Sequence, residues 1–183
     1  MPYLYVAAAI VLRLLPHPWN ATPLAAMFLF SGATIRSRRD GLLVPFVALA
    51  LSDYAASHFL HHSQSWFDWT KWVAFLLIGL LGWTLRDKMS AGRVAGVSLA
   101  GSVVFFVLTN FGVWTGPLYS HTLAGLGACY VAAIPFFRNT LLGDLFYAGV
   151  MFGSYHLLLQ RRLAQPVRAP AARGHDALCR GGR

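Results

Sequence analysis

Long apolar runs with almost no charge inside them follow one another along this chain, and few folds accept that pattern. The runs fall at roughly 3–15, 23–35, 42–60, 70–86, 93–114, 121–137 and 140–160. A helix needs about 20 apolar residues to cross ~30 Å of hydrocarbon. Of 183 residues 57% are hydrophobic and 11% charged, whereas a soluble domain carries about 25% charged residues. All six acidic residues are Asp. Disorder, collagen, a coiled coil and an ordinary soluble enzyme are excluded on these grounds. A disulfide framework is excluded too, because Cys129 lies in an apolar run and Cys179 in a polar tail. No β alternation persists, so the expected fold is an all-α integral membrane protein, a compact bundle of about six transmembrane helices.

The net charge of +9 is not arranged for nucleic acid, which asks for a basic patch with exposed aromatics. Arg36, Arg38 and Arg39 separate the second and third runs; Arg86, Lys88 and Arg93 separate the fourth and fifth. Arg161, Arg162, Arg168, Arg173, Arg180 and Arg183 follow the last run, and these twelve make up most of the 15 basic residues. Loops 61–69 and 115–120 have none. Basic loops mark the cytoplasmic side, so six crossings are expected at 3–15, 23–35, 42–60, 70–86, 93–114 and 140–160, with both termini cytoplasmic. Segment 121–137 is then an extra re-entrant or surface helix. An alternative joins 3–35 into one broken crossing. Residues 1–163 form the membrane domain, and 164–183 are expected to be a disordered basic cytoplasmic tail, an orientation signal or a contact for anionic headgroups. No cleaved signal peptide is expected. The expected place is the cell inner (plasma) membrane, multi-pass.

Polar residues inside such a domain each cost about 2.5–3.5 kcal/mol at mid-bilayer, so they carry the information. Arg13, His17 and Asn20 lie where Pro16 and Pro18 stop the first run and Thr22-Pro23 can start the next. A broken pair of short helices is the usual pointer to a transporter site, although a tight turn uses the same groups. Asp53, beside Ser52, requires a partner, and Arg13 and Arg138 are the candidates. His58, His61 and His62 share a helical face, acceptable for a transition metal or as wetted interfacial imidazoles. Phe106, Asn110 and Trp114 are four apart and form one stripe, suited to helix packing or to a planar ligand. Tyr119 opens a small-residue segment that ends at Pro135, where the helix should break before Arg138, Asn139, Thr140 and Asp144. Asn139 or Thr140 can cap the next helix. Gly92/Gly96 and Gly149/Gly153 read as close helix packing. Nucleotide, hydrolase and metalloprotease motifs are absent, so no enzyme activity and no cofactor are expected.

Several of these stretches resemble a family. Arg13-Leu14-Leu15-Pro16-His17-Pro18-Trp19-Asn20-Ala21-Thr22-Pro23, Ser52-Asp53, Phe105 through Trp114 and Tyr119 through Asp144 are similar to signatures of small bacterial membrane proteins described as proposed transport proteins of unknown function. At fold level that family looks related to the substrate-binding S components of energy-coupling factor (ECF) vitamin transporters. The resemblance covers roughly residues 11–153. It implies an outward-facing pocket that takes up a small organic micronutrient such as a vitamin, with Arg13, His17, Asn20, Asp53, Asn110, Trp114, Tyr119, Arg138, Asn139 and Asp144 as the matching substrate-binding positions. It also implies an energising module, an ATPase plus a transmembrane subunit, as partner. The first run lacks the Ala-x-x-x-Ala pair that S components use there, and His58, His61 and His62 stand where the family has a Gly-containing turn. The rival expectations are a divalent-metal permease or sensor built on those histidines and a non-transporting membrane assembly protein.

Overall fold

The computed structural model describes residues 1–15, 22–59 and 69–164. Among these the secondary structure is helical throughout: α1 (Pro2–Leu14), α2 (Leu24–Thr34), α3 (Arg38–Phe59), α4 (Trp69–Trp83), α5 (Ala91–Trp114) and α6 (Leu123–Ala164). The basic tail from 165 onward lies outside the described residues.

α2 is the axis of the bundle. It has no charged side chain, and every residue from Leu24 to Ala33 is buried. A helix apolar on all sides belongs inside, and α1, α3, α4, α5 and α6 all pack on it. Phe28 meets Phe46 of α3 and Phe75 of α4, each at 4.8 Å. Phe30 meets Tyr5 of α1 at 4.8 Å and Phe152 and Tyr155 of α6 at 5.2 and 5.3 Å. The Tyr5–Phe30 contact folds α1 back beside α2, so residues 3–35 are not one broken crossing laid end to end. Pro23 caps α2 without any side-chain bond; the expected Thr22 cap is not made.

α2 and α4 touch backbone to backbone. A Cβ on Gly32 would strike the Gly79 carbonyl oxygen, and one on Gly82 would strike the Leu29 carbonyl oxygen. Gly92, Gly96, Gly149 and Gly153 face open space instead. The close packing expected of those two pairs is thus made elsewhere, where the glycines come from different segments.

Both difficult points of the α2–α3 region are met by side chains. Pro45 sits inside α3 and, lacking an N–H, gives Gly41 O no helical donor. Ser31 Oγ of α2 lies 2.9 Å from that oxygen and 3.0 Å from Phe28 O, which the helix already supplies with a donor, and its one proton goes to the oxygen that lacks one. At the carboxyl end of α2 the last carbonyls have no helical partner, and Arg86 supplies it. Its guanidinium donates to Gly32 O and Ile35 O at 2.8 Å and to Arg36 O at 3.2 Å. Burial, and after it the charge of Arg38, lower the Arg86 pKa, but an arginine starts so high that it stays charged.

α6 corrects one expectation. Segments 121–137 and 140–160 form a single helix of 42 residues, about 63 Å long at ~1.5 Å per residue, and no separate re-entrant helix exists. Pro135 does not break it, so Asn139 and Thr140 lie mid-helix rather than at a cap. The reason is continuous support from α5 on both sides of the proline. Tyr130 Oη donates to Val107 O at 2.7 Å, Phe137 packs on Phe106 in a tilted pair at 4.6 Å, and Ser102 reaches Asp144 at 2.6 Å. As numbers rise along α6 they fall along α5, so the two helices form one antiparallel hairpin.

By length and composition one described helix, α5, is long and apolar enough to cross a membrane. Only 22% of its apolar window is buried, so it is not the enclosed core helix; α2 has that role. α1, α2 and α4 are apolar but have 13, 11 and 15 residues, short of the roughly 20 a full span needs.

Two substitutions test this packing by unfolding in detergent. Gly32→Ala is expected to lower stability by about 1–3 kcal/mol, whereas Gly127→Ala, which faces open space, changes it by no more than about 0.5 kcal/mol. Ser31→Ala strands the Gly41 oxygen and is expected to lose about 1–3 kcal/mol.

Candidate binding site

The site begins with one carboxylate. Asp53 stands on α3 six residues before its end, and its side chain is 9% exposed. A charge so placed needs counter-charge and hydrogen bonds together. Arg13, in the last turn of α1, supplies both: one guanidinium nitrogen bonds Asp53 Oδ1 and the other bonds Ser52 Oγ. Ser52 passes its own proton to Leu49 O at 2.8 Å. On the far oxygen, Lys71 Nζ lies 2.8 Å from Asp53 Oδ2. Lys71 is the third residue of α4, so three helices are tied together at one point.

Asp53 thus holds two cations, Arg13 on one oxygen and Lys71 on the other. Beside Lys71, Trp72 is stacked on Phe46 at 5.6 Å, and its indole Nε1 is buried with no acceptor among the described residues. The cluster itself is two cationic donors, a serine hydroxyl and one carboxylate. All three helices present the cluster at the end of the bundle where α1 and α3 finish and α4 begins. The opposite end carries exposed Arg36, Arg38, Arg39, Lys88 and Arg93, with Arg38 over the Trp83 ring at 5.2 Å.

Of the expected site residues, the structure unites Arg13 with Asp53. Arg138, the other expected partner of Asp53, is exposed on α6, and the second cation on Asp53 is Lys71. His17, Asn20, His61 and His62 lie outside the described residues. His58 is exposed and stacks on Tyr54 at 5.7 Å. Among the described residues no three His, Cys, Asp or Glu side chains are grouped to hold a metal.

The aromatic–amide stripe of α5 is turned to packing. Asn110 Nδ2 donates to its own helix at Phe106 O, 2.7 Å away, and Phe106 packs on Tyr130 and Phe137 of α6. Trp114 Nε1 donates to Ser120 O at 3.1 Å, and its ring meets His121, so it closes the α5–α6 turn in which Tyr119 is half-buried. Asn139 is half-buried on α6. Asp144 is buried against Ser102 in the α5–α6 interface and takes no part in the Asp53 cluster.

Lys71 was missed by sequence reasoning, although a signal existed. Twelve of the 15 basic residues flank the apolar runs; the other three are Arg13, Arg138 and Lys71, and a lysine inside an apolar run needs a partner as much as an arginine does.

Residues 1–169 match the model of a family of unknown function (DUF6580). The chain belongs to that family. No curated protein and no solved structure matches it. For this DUF6580 member the Asp53 cluster is accordingly read from its own geometry.

Removing the carboxylate takes from Arg13 and Lys71 the partner they share. Asp53→Asn is expected to lower stability by about 3–5 kcal/mol. Adding Lys71→Met should recover part of that loss, a non-additivity visible in a double-mutant cycle of denaturant unfolding.

Proposed function

We propose that this protein is a multi-pass protein of the bacterial inner membrane that binds a small organic micronutrient bearing a negative charge, for uptake, at the Arg13–Asp53–Lys71 cluster. The observation that carries the reading is the convergence of a guanidinium and an ammonium on one nearly buried carboxylate inside an apolar bundle. Ionisable residues inside a membrane domain serve function by default, and a guanidinium offers paired donors that suit a carboxylate or phosphate.

The exterior supports the membrane reading. Leu43, Val47 and Leu51 form an exposed stripe on α3, 57–64% open, and Val131, Ile134, Leu142, Phe146 and Val150 do the same on α6. A soluble monomer rarely leaves contiguous apolar surface of this extent in water. α2 is enclosed by its neighbours and needs no length to face lipid, while the short α1 and α4 are matched by local thinning and by their connections. The likeness of the signature stretches to a family of proposed transport proteins, which looks related at fold level to S components, supports uptake through an outward-facing pocket. With no nucleotide motif in the chain, the energy for uptake comes from an ATPase-bearing partner module or an ion gradient.

Native mass spectrometry of the gently purified protein tests the site. A discrete small anion is expected on the wild type, with occupancy falling about tenfold or more in Arg13→Gln and in Lys71→Gln, the loss of one charge-assisted hydrogen bond each. Full retention of the bound mass in both variants would make the cluster purely structural.

A further inference from the structure

A second carboxyl, Asp144, is enclosed between α5 and α6 at 3% exposure, and Ser102 beside it is fully buried. Ser102 Oγ lies 2.6 Å from Asp144 Oδ2 and 3.1 Å from Ser98 O. A serine hydroxyl has a single proton to give, so it cannot donate to both oxygens. If Asp144 is a carboxylate, Ser102 must donate to it and the Ser98 contact becomes oxygen against oxygen. If Asp144 holds a proton, it donates to Ser102 and Ser102 donates onward to Ser98. Both contacts are hydrogen bonds only in that second form.

No counter-charge is at hand. Among the described residues the ion pairs are those on Asp53. α6 packs on α5 and α2; α2 has no ionisable side chain, and α5 has only Arg93, exposed at its first turn and donating to Thr84 O at 2.7 Å. From α1, Tyr5 meets α6 at Ser154, 3.0 Å away. On α6 itself Arg138 is exposed and six residues distant, about 240° around the helix at ~100° per residue. Tyr147, half-buried, sets its ring against Phe146. An isolated ionised carboxylate is far costlier to bury than a neutral carboxyl.

The geometry points to Asp144 as a proton-binding site inside the bundle, its carboxyl donating to Ser102 and Ser102 to Ser98. When the proton leaves to solvent, Ser102 turns its one hydrogen onto the carboxylate and the Ser98 contact is lost. The α5–α6 pair, the most extensive helix contact in the bundle, then differs between the two protonation states. The α5–α6 interface is thereby built to read the presence of a proton. The inference does not depend on a solute at Asp53, and the two fail separately.

Infrared difference spectroscopy of the full chain in lipid nanodiscs, titrated from acid to alkaline pH, tests it. At neutral pH a carboxylic C=O band is expected that shifts on hydrogen–deuterium exchange, disappears in Asp144→Asn and persists in Asp53→Asn. Ser102→Ala should keep the band and move it to higher frequency, because the hydrogen bond to the carboxyl is gone. A neutral-pH wild-type spectrum without that band overturns the proposal. So does a band unmoved by Ser102→Ala, the variant that decides if Asp144→Asn does not fold. Loss of the band with sodium at constant pH would also overturn it, by assigning the site to a metal cation.

Discussion

The enclosure of α2 governs the rest of the structure. Ten consecutive residues, Leu24 to Ala33, are buried on every side, so each backbone group that its neighbours cannot satisfy has to be satisfied by a placed side chain. Arg86 reaches over from beyond α4 to take the terminal carbonyls, and Ser31 spends its hydroxyl on the carbonyl that Pro45 leaves without a donor. The same enclosure forces the glycines of α2 and α4 together, since nothing larger lets two backbones approach so closely. Arginine, serine and glycine here serve one requirement, that a central helix be surrounded without an orphaned polar group.

That scaffold separates two electrically different ends. At one, exposed arginines and a lysine ring the short 35–37 and 84–90 connections. At the other, three helices converge on Asp53, which pairs with both Arg13 and Lys71. α3 links the ends, with Asp40 in its first turn and Asp53 near its last. The position of the cluster follows from topology: α1 and α3 finish, and α4 starts, at the same end of the bundle.

Much of this was legible in the sequence. Apolar runs bounded by charge and proline mark five of the helices within a few residues, because exclusion of charge is a property of each run by itself. The Arg13–Asp53 pair was also readable, since a carboxylate inside an apolar segment demands a cation. What escaped depended on partners distant along the chain. Pro135 carries a local stop signal that α5 overrides through contacts on either side, so two expected segments became one helix. The glycine pairs with the right internal spacing point outward, while the close contact uses Gly32 against Gly79 and Gly82, a relation across two helices that no single-helix pattern displays. Asn110 bonds within its own helix, which four-residue spacing alone does not distinguish from a side chain offered to a ligand.

The central position of α2 also sets the order in which the molecule can be completed. α1 and α2 leave the ribosome first, yet the walls that enclose α2 come from α3, α4, α5 and α6. Until α6 is made, Phe30 lacks Phe152 and Tyr155, and until α4 is followed by Arg86 the end of α2 lacks its cap. The earliest hairpin is therefore a provisional one, held by α1 alone and dependent on whatever environment shields it. The core of this bundle is laid down first and sealed last.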